Sequence, residues 1–217
     1  MNFNFIKPKS FILVAVCLSL AFEVCYGQSK SSSNHQSLIS PDGSITLSVI
    51  SPDGDLAFAI KHKGTTVIEP SRLGLVINGK SFGTKSAITE SVKYKLNETY
   101  SYRGIHSRAT NKCNGARIGI SSSIGTFILE ARVFNDGVAF RYVIKNSADA
   151  VINNDNTAFS FPSGSMVWSQ PNTRYYEGTY GKKGIEQFKV GDPVGPPLVA
   201  ELPGGLFAAV TEGGLVD

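Results

Sequence analysis

The sequence contains few cysteines and little excess charge of either sign. Its 217 residues include 3 cysteines, and the formal net charge is +4. No run of five or more basic residues occurs, so the chain lacks the basic patch typical of nucleic-acid-binding proteins. It also has no GxSxG elbow, HExxH pair, phosphate-binding P-loop or CxxC pair. The signatures of several large enzyme classes are therefore missing.

Long apolar runs are missing too, except near the N-terminus. Two lysines precede an apolar run at residues 11–22, and Cys25 and Gly27 are small residues at positions −3 and −1 of a cut before Gln28. This arrangement is typical of a secretory signal peptide over residues 1–27, because the run is short for a membrane span. A membrane anchor is the alternative. A lipoprotein cut is disfavoured, because Cys25 follows larger residues than a lipid-modified cysteine usually does.

Removal of this segment leaves Cys113 as the one cysteine. A single cysteine forms no internal disulfide, so the fold must be held by its apolar core. A catalytic thiol requires a partner histidine, and the spacing of the three histidines suggests none. Cys113 is therefore predicted to be a structural residue in a loop or strand.

Period-two alternation of apolar and polar residues dominates the rest of the chain. Residues 28–37 are polar and serine-rich and are predicted to be a flexible leader. Alternation then begins at Ile45, Leu47 and Val49, between two Pro-Asp-Gly turns. Further strands are predicted at 56–60, 65–68, 73–77, 92–96, 117–121, 126–134, 138–142, 158–161 and 206–211. With no sustained helical period, residues 38–217 are predicted to form an all-β domain, a large antiparallel β-sandwich.

Turn residues predict where strands pair. Asn78-Gly79 is a strong hairpin signal, and 135–137 (NDG) is another turn. The segment 69–71, which contains Pro70, is predicted to separate two strands. The stretch 132–142, which surrounds the second turn, need be no more than a hairpin.

Residues 168–177 (WSQPNTRYYE) combine the single tryptophan with neighbouring tyrosines. Trp168, Tyr175 and Tyr176 have faces suited to stacking on sugar C–H surfaces. Glu177 could supply an oxygen ligand to calcium or hydrogen-bond a hydroxyl. The alternative is an ordinary surface glutamate beside core aromatics.

Glu212 follows an apolar strand and precedes two glycines. It could line a cleft, or it could be a solvated turn residue. No convincing pair of carboxyl groups of the kind that glycoside hydrolysis needs is identifiable.

Five segments in order resemble the N-terminal domain of glycoside hydrolase family 97, a family of bacterial α-glucosidases and α-galactosidases. They are residues 40–43 (SPDG), 71–75 (SRLGL), 134–142 (FNDGVAFRY), 168–177 (WSQPNTRYYE) and 211–217 (TEGGLVD). Each is weak alone, and the resemblance depends on their order and spacing across most of residues 38–217.

The resemblance implies a β-super-sandwich that packs against a (β/α)₈ barrel, with the catalytic residues on the barrel. It implies a calcium ion in the active site, with Glu177 matching the ligand that the N-terminal domain contributes. It also implies a carbohydrate substrate, an α-glucoside or α-galactoside, and a periplasmic location in a Gram-negative bacterium.

The family's barrel is not among the 217 residues given, and we therefore expect no catalytic residue on this chain. Its apolar, strand-like end leads us to expect a domain that is incomplete at its C-terminus and continues in a longer protein. The chain alone is expected to be inactive, to bind calcium weakly or not at all, and to be aggregation-prone or poorly folded. The alternatives are a free-standing carbohydrate-binding β-sandwich without hydrolytic activity and a structural domain without sugar contact.

Overall fold

The computed structural model describes residues 34–144, 150–172 and 177–213. These residues form strands and two short 3₁₀ turns, Pro52–Gly54 and Ile185–Gln187, with no α-helix among them. The described part of the chain contains no helix long and apolar enough to cross a bilayer. The predicted signal peptide and most of the predicted leader lie outside the described residues.

Fifteen strands are described, and they pair with their neighbours in antiparallel register. In chain order they are β1 (His35–Ile39), β2 (Ile45–Ile50), β3 (Ala57–His62), β4 (Thr65–Arg72), β5 (Leu75–Ile77), β6 (Lys80–Phe82), β7 (Ser86–Ser101), β8 (Arg108–Ser122), β9 (Gly125–Val133), β10 (Val138–Val143), β11 (Ile152–Asp155), β12 (Met166–Gln170), β13 (Gly181–Gly184), β14 (Gly195–Glu201) and β15 (Phe207–Val210).

The strands form four sheets. Sheet I has the order β1-β2-β3-β4, and sheet II the order β10-β9-β8-β7. Sheet III is β11-β5-β6, and sheet IV is β13-β12-β14-β15. The predicted all-β sandwich class is confirmed.

One continuous core joins sheets I, II and IV. Sheet I contributes Leu47 and Phe58, sheet II contributes Ile118 and Leu129, and sheet IV contributes Val167, all buried. The alternation seen in the sequence supplies these residues, because every second side chain of a strand faces the same side. Burying these apolar faces against one another is the main stabilising contribution to such a fold.

The predicted hairpin at Asn78-Gly79 is confirmed, since β5 pairs with β6 through Ile77 opposite Lys80. Asn78 and Gly79 both have positive φ angles, 49° and 73°. Two such residues in sequence give the turn whose twist matches that of paired strands. The Asn-Asp-Gly turn likewise joins β9 to β10.

Several strand boundaries differ from the prediction. The first strand begins at His35, within the segment predicted as leader. The predicted break at Pro70 is wrong, because β4 runs through it. Since β4 lies at the edge of sheet I and has an irregular register with β3 here, a proline is tolerated.

The strand predicted at 158–161 is also wrong. Only an isolated bridge between Glu69 and Ser160 occurs there. Of the two alternating aromatics, Phe161 is buried in the core, whereas Phe159 is 37% exposed with its ring 5.5 Å from that of Phe58.

Strands β7 and β8 are much longer than predicted. Their distal part, residues 97–112, pairs only within the hairpin, because β9 pairs with β8 from Asn114 onward. We call residues 97–112 the arm. Most of its side chains are exposed, so no apolar alternation revealed it in the sequence.

Candidate functional site

Sheet IV brings the two predicted glutamates to the same end of the domain. Strands β12 and β15 both run antiparallel to β14, so they run in the same direction and end on the same side of the sheet. Glu177 lies in the connection from β12 to β13, which begins and ends on that side. Glu212 lies two residues beyond the end of β15.

Glu177 is exposed, and its position depends on the glycine that follows it. A Cβ atom at Gly178 would collide with the side-chain amide oxygen of Gln170. Gln170 is itself buried, 1% exposed, at the end of β12. The backbone beside Glu177 is therefore packed against a fixed side chain, while the carboxylate points into solvent-accessible space.

Gly195, the first residue of β14, packs equally closely. A Cβ there would collide with the backbone oxygen of Asn172 and lie 3.0 Å from the amide nitrogen of Gln170. Gln170 therefore lies between Gly178 of the β12–β13 connection and Gly195 of β14. Through Asn172 and Gly178, these contacts hold both described parts of that connection in place.

Glu212 is exposed, as are its neighbours Thr211 and Gly213. The hydroxyl of Thr211 donates to the backbone oxygen of Glu212 over 3.4 Å. The carboxylate has no hydrogen-bond partner within the described residues, so its predicted role depends on polypeptide or ligand beyond them.

Trp168 lies at the centre of β12 and is half-buried. It stands opposite Lys182 on β13 and Val199 on β14, so the three side chains share the outer face of sheet IV. The ammonium of Lys182 lies 4.6 Å from the indole centroid and 2.7 Å from a carboxylate oxygen of Glu201. One face of the indole is thus covered by a cation that Glu201 holds in place.

The indole nitrogen of Trp168 is buried and finds no hydrogen-bond acceptor among the described residues. A buried donor of this kind normally has a partner. Tyr180 also belongs to this region, since its hydroxyl donates to the backbone oxygen of Pro197 over 3.0 Å. That bond ties the end of the connection to β14.

Tyr175 and Tyr176 lie outside the described residues, so their predicted role in substrate binding stays a prediction. Sequence reasoning missed Lys182, Glu201 and Gln170. Their importance comes from cross-strand neighbours far apart in the chain, and no local pattern reports such pairing.

No group of three or more acidic, histidine or cysteine side chains suited to a metal is present in the ranges that the structure describes. Calcium binds six to eight oxygen ligands. At this end of the domain the described residues offer two exposed carboxylates, Glu177 and Glu212, which are too few to hold the ion by themselves.

Comparison with known proteins identifies the domain. Residues 38–217 match the family described as Glycosyl-hydrolase 97 N-terminal. The chain belongs to this family. A retaining alpha-galactosidase from Bacteroides thetaiotaomicron is 22% identical in an alignment 226 residues long. The alignment covers 96% of this chain and 32% of the relative.

Solved structures show the same fold as this family 97 N-terminal domain. A beta-arabinopyranosidase crystal structure superimposes with a TM-score of 0.71 and 19% identity, over 83% of this chain and 32% of that one. A family 97 enzyme from Pseudoalteromonas sp. strain K8 gives TM-scores of 0.69 in complex with panose and 0.68 with acarbose. Both are 22% identical and cover 77% of this chain and 27% of theirs. The chain thus spans about a third of the length of the relatives it matches.

Proposed function

We propose that this chain is the non-catalytic N-terminal portion of a secreted family 97 α-glycosidase. In the complete enzyme it packs on a (β/α)₈ barrel and shapes the pocket in which an α-glucoside or α-galactoside is hydrolysed. The observation that carries the proposal is the family match over residues 38–217, together with relatives about three times as long. The signal-like segment 1–27 supports export to the periplasm.

The outer face of sheet IV is our candidate for the contact with the barrel. It presents Trp168, Val199 and Phe207, which the strand register places on one side of the sheet. Phe207 is 57% exposed although it is fully apolar. An exposed apolar face on a domain is typical of a surface that another domain covers.

At the end of the same sheet, Glu177 is proposed to contribute one ligand to a calcium ion. Its carboxylate is exposed, and Gly178 holds the adjoining backbone against Gln170. The remaining oxygens would come from the barrel, because Glu177 and the neighbouring Glu212 cannot together supply six to eight ligands. The ion would provide fixed positive charge beside the substrate.

Substrate contacts are proposed for Trp168, Tyr175, Tyr176 and Glu212. Because Lys182 covers one face of the Trp168 indole, a sugar would stack on the other face or displace the lysine. Glu212, exposed at the same end as Glu177, would accept a hydrogen bond from a sugar hydroxyl.

The discriminating experiment is to sequence the gene beyond the codon for Asp217 and to assay both the short and the extended products. The proposal expects an open frame with alternating strands and helices, hydrolysis of aryl α-glucosides or α-galactosides by the extended product, and none by the short one. A stop codon followed by an unrelated gene would overturn it. Glycan-array binding by the short chain that is lost in Trp168→Ala would instead indicate a free-standing binding module.

A further inference from the structure

The outer face of sheet II carries three arginines around one buried carboxylate. Glu130 on β9 stands directly opposite Arg117 on β8 and Arg141 on β10, and Arg132 is two residues further along β9. Paired residues and residues two apart on a strand share a face. Arg117 and Arg141 therefore each lie one strand spacing from Glu130, on opposite sides of it. We call the three arginines and Glu130 the arginine cluster.

The single carboxylate engages only part of the available donors. Arg141 Nε donates to Glu130 Oε2 over 2.9 Å, and its Nη2 lies 2.8 Å from the same oxygen. Arg117 Nη1 and Arg132 Nη2 are 3.6 and 4.0 Å from the carboxylate, beyond hydrogen-bond distance. Glu130 thus binds one guanidinium tightly and leaves two held nearby by the sheet.

Tyr94 determines how Arg132 is oriented. Its ring lies over Gly115, where any Cβ atom would collide with it. From there the hydroxyl donates to Glu130 Oε1 over 3.0 Å and accepts from Arg132 Nε over 3.3 Å. This bond at Nε holds the planar guanidinium of Arg132 beside Tyr94, with its Nη2 4.0 Å from Glu130 Oε1.

The charge balance favours an added anion. The three guanidinium groups and the one carboxylate of the cluster carry a net charge of +2, and the next carboxylate on this face is that of Glu90, opposite Gly119. Glu130 has a side-chain exposure of only 9%, whereas those of Arg117, Arg132 and Arg141 are 41%, 37% and 56%. The positive groups are therefore open to solvent while the negative one is covered. Guanidinium groups crowded in this way repel one another, and an oxyanion between them would relieve that repulsion and accept several charge-assisted hydrogen bonds.

We propose that the arginine cluster binds a sulfate or phosphate group. Such a group carries its charge on several oxygens, which suits the Nη edges of Arg117 and Arg132. The group can be a free ion or an ester on a saccharide, since both present the same oxygens. This site is on sheet II and is independent of the function proposed for sheet IV.

Binding can be measured by microscale thermophoresis at nanomolar protein, which avoids association of the chain. Inorganic sulfate and phosphate are titrated at constant ionic strength maintained with chloride. We expect saturation with a Kd on the order of 1 mM or tighter. Arg117→Gln and Arg132→Gln should each weaken binding at least tenfold, and Arg117→Lys should weaken it less, since the charge remains and the planar fork is lost.

Arg108→Gln is the matched control, because this arginine is the first residue of β8, in the arm and outside the arginine cluster. It should leave the Kd unchanged. Glucose 6-phosphate and glucosamine 6-sulfate, compared with glucose and with the inorganic ions, distinguish the sources: tighter binding of an ester identifies a saccharide ester, and equal binding identifies the free ion. A non-saturating response, or equal losses in Arg108→Gln and Arg117→Gln, would mean an adventitious ion only and would overturn the proposal.

Discussion

Gly178 lies directly against the buried side chain of Gln170, so closely that no Cβ atom fits between them. The contact joins the end of β12 to the residue next to Glu177. The position of that glutamate therefore depends on a packing contact with a residue seven positions earlier in the chain. This relationship makes the glycine, as well as the carboxylate, a target for substitution.

Gly178→Ala is expected to destabilise the domain by about 1–3 kcal/mol, the usual cost of forcing an extra methyl into a packed site. The measurement is the midpoint of urea unfolding, followed by circular dichroism. Gly181→Ala is the control, because a Cβ at Gly181 meets no atom within 4 Å. Equal stability of the two variants would show that Gln170 moves aside without cost.

Glu130 should give the domain a specific acid sensitivity. Burial raises the pKa of Glu130, but hydrogen bonds from Arg141 and Tyr94 and the charges of Arg141 and Arg117 outweigh burial and lower it below the usual 4.5. A lowered folded-state pKa means that the stabilisation is fully present above about 4.5 and is lost as the pH falls through the lower value. Melting temperatures measured from pH 7 to pH 3 should therefore fall.

Glu130→Gln tests this assignment. At neutral pH the variant should lose about 1.5–3 kcal/mol, because charge-assisted hydrogen bonds disappear and the arginines lose their counter-charge. Its stability should also depend less on pH in the acid range than that of the wild type. Asp42→Asn is a useful comparison. Hydrogen bonds from Ser40 and then Ser44 lower the pKa of Asp42 to about 2, so its contribution is lost as the pH falls through 2. Parallel pH profiles for wild type and Glu130→Gln would contradict the assignment.

The sequence predicted features that depend on neighbouring residues better than features that depend on residues far apart in the chain. The turn at Asn78-Gly79 depends on φ angles that these two residues adopt readily, so the pattern alone identified the hairpin. The buried face of β2 was equally clear from its alternation. By contrast, Pro70 was a misleading signal, since its effect depends on whether the strand lies at a sheet edge.

The candidate site shows the same division. Glu177 and Trp168 were predicted from an aromatic-rich segment that resembles the family, and their roles stay predictions. The lysine over the Trp168 ring was not predicted, because Lys182 reaches it across a strand pair whose register no short pattern specifies. The arginine cluster depends likewise on three strands being in register around Glu130.

The Tyr142 hydroxyl should lose its proton at an unusually high pH. Burial raises its pKa to about 12, and its hydroxyl accepts from the backbone N–H of Gly74 over 2.9 Å and lies 2.7 Å from the Thr157 hydroxyl. Because the folded-state pKa is raised, this contribution to stability is fully present below about pH 10 and is lost as the pH rises through 12. Absorbance at 295 nm should show a late tyrosine step that Tyr142→Phe removes.

The same variant should unfold more easily at neutral pH. Loss of the Tyr142 hydroxyl leaves the Gly74 N–H without its acceptor, at a cost of about 1–3 kcal/mol. Tyr102→Phe is the control, because that ring is 60% exposed and should affect neither the late step nor stability. A late absorbance step that persists in Tyr142→Phe would assign it to another tyrosine.

The chain without further domains should bind calcium weakly or not at all. One exposed carboxylate cannot replace the six to eight oxygens that the ion requires. Isothermal titration calorimetry with calcium chloride should give no saturable heat in the micromolar range, and Glu177→Gln should behave like wild type. A nanomolar to low-micromolar Kd that Glu177→Gln abolishes would show that this chain completes the site alone.

The outer face of sheet IV should make the isolated chain self-associate. Phe207 is 57% exposed on the same face as Trp168 and beside the Lys182–Glu201 ion pair, so water contacts its apolar ring. Phe207→Ser removes roughly 100 Å² of apolar surface, which at about 25 cal/mol per Å² weakens association at least tenfold. Val190→Ser is the control, because Val190 is fully exposed in the connection between β13 and β14 and should change association little. Sedimentation velocity over a range of concentrations measures both. A wild-type chain that stays monomeric and melts cooperatively at high concentration would show that this face needs no covering domain.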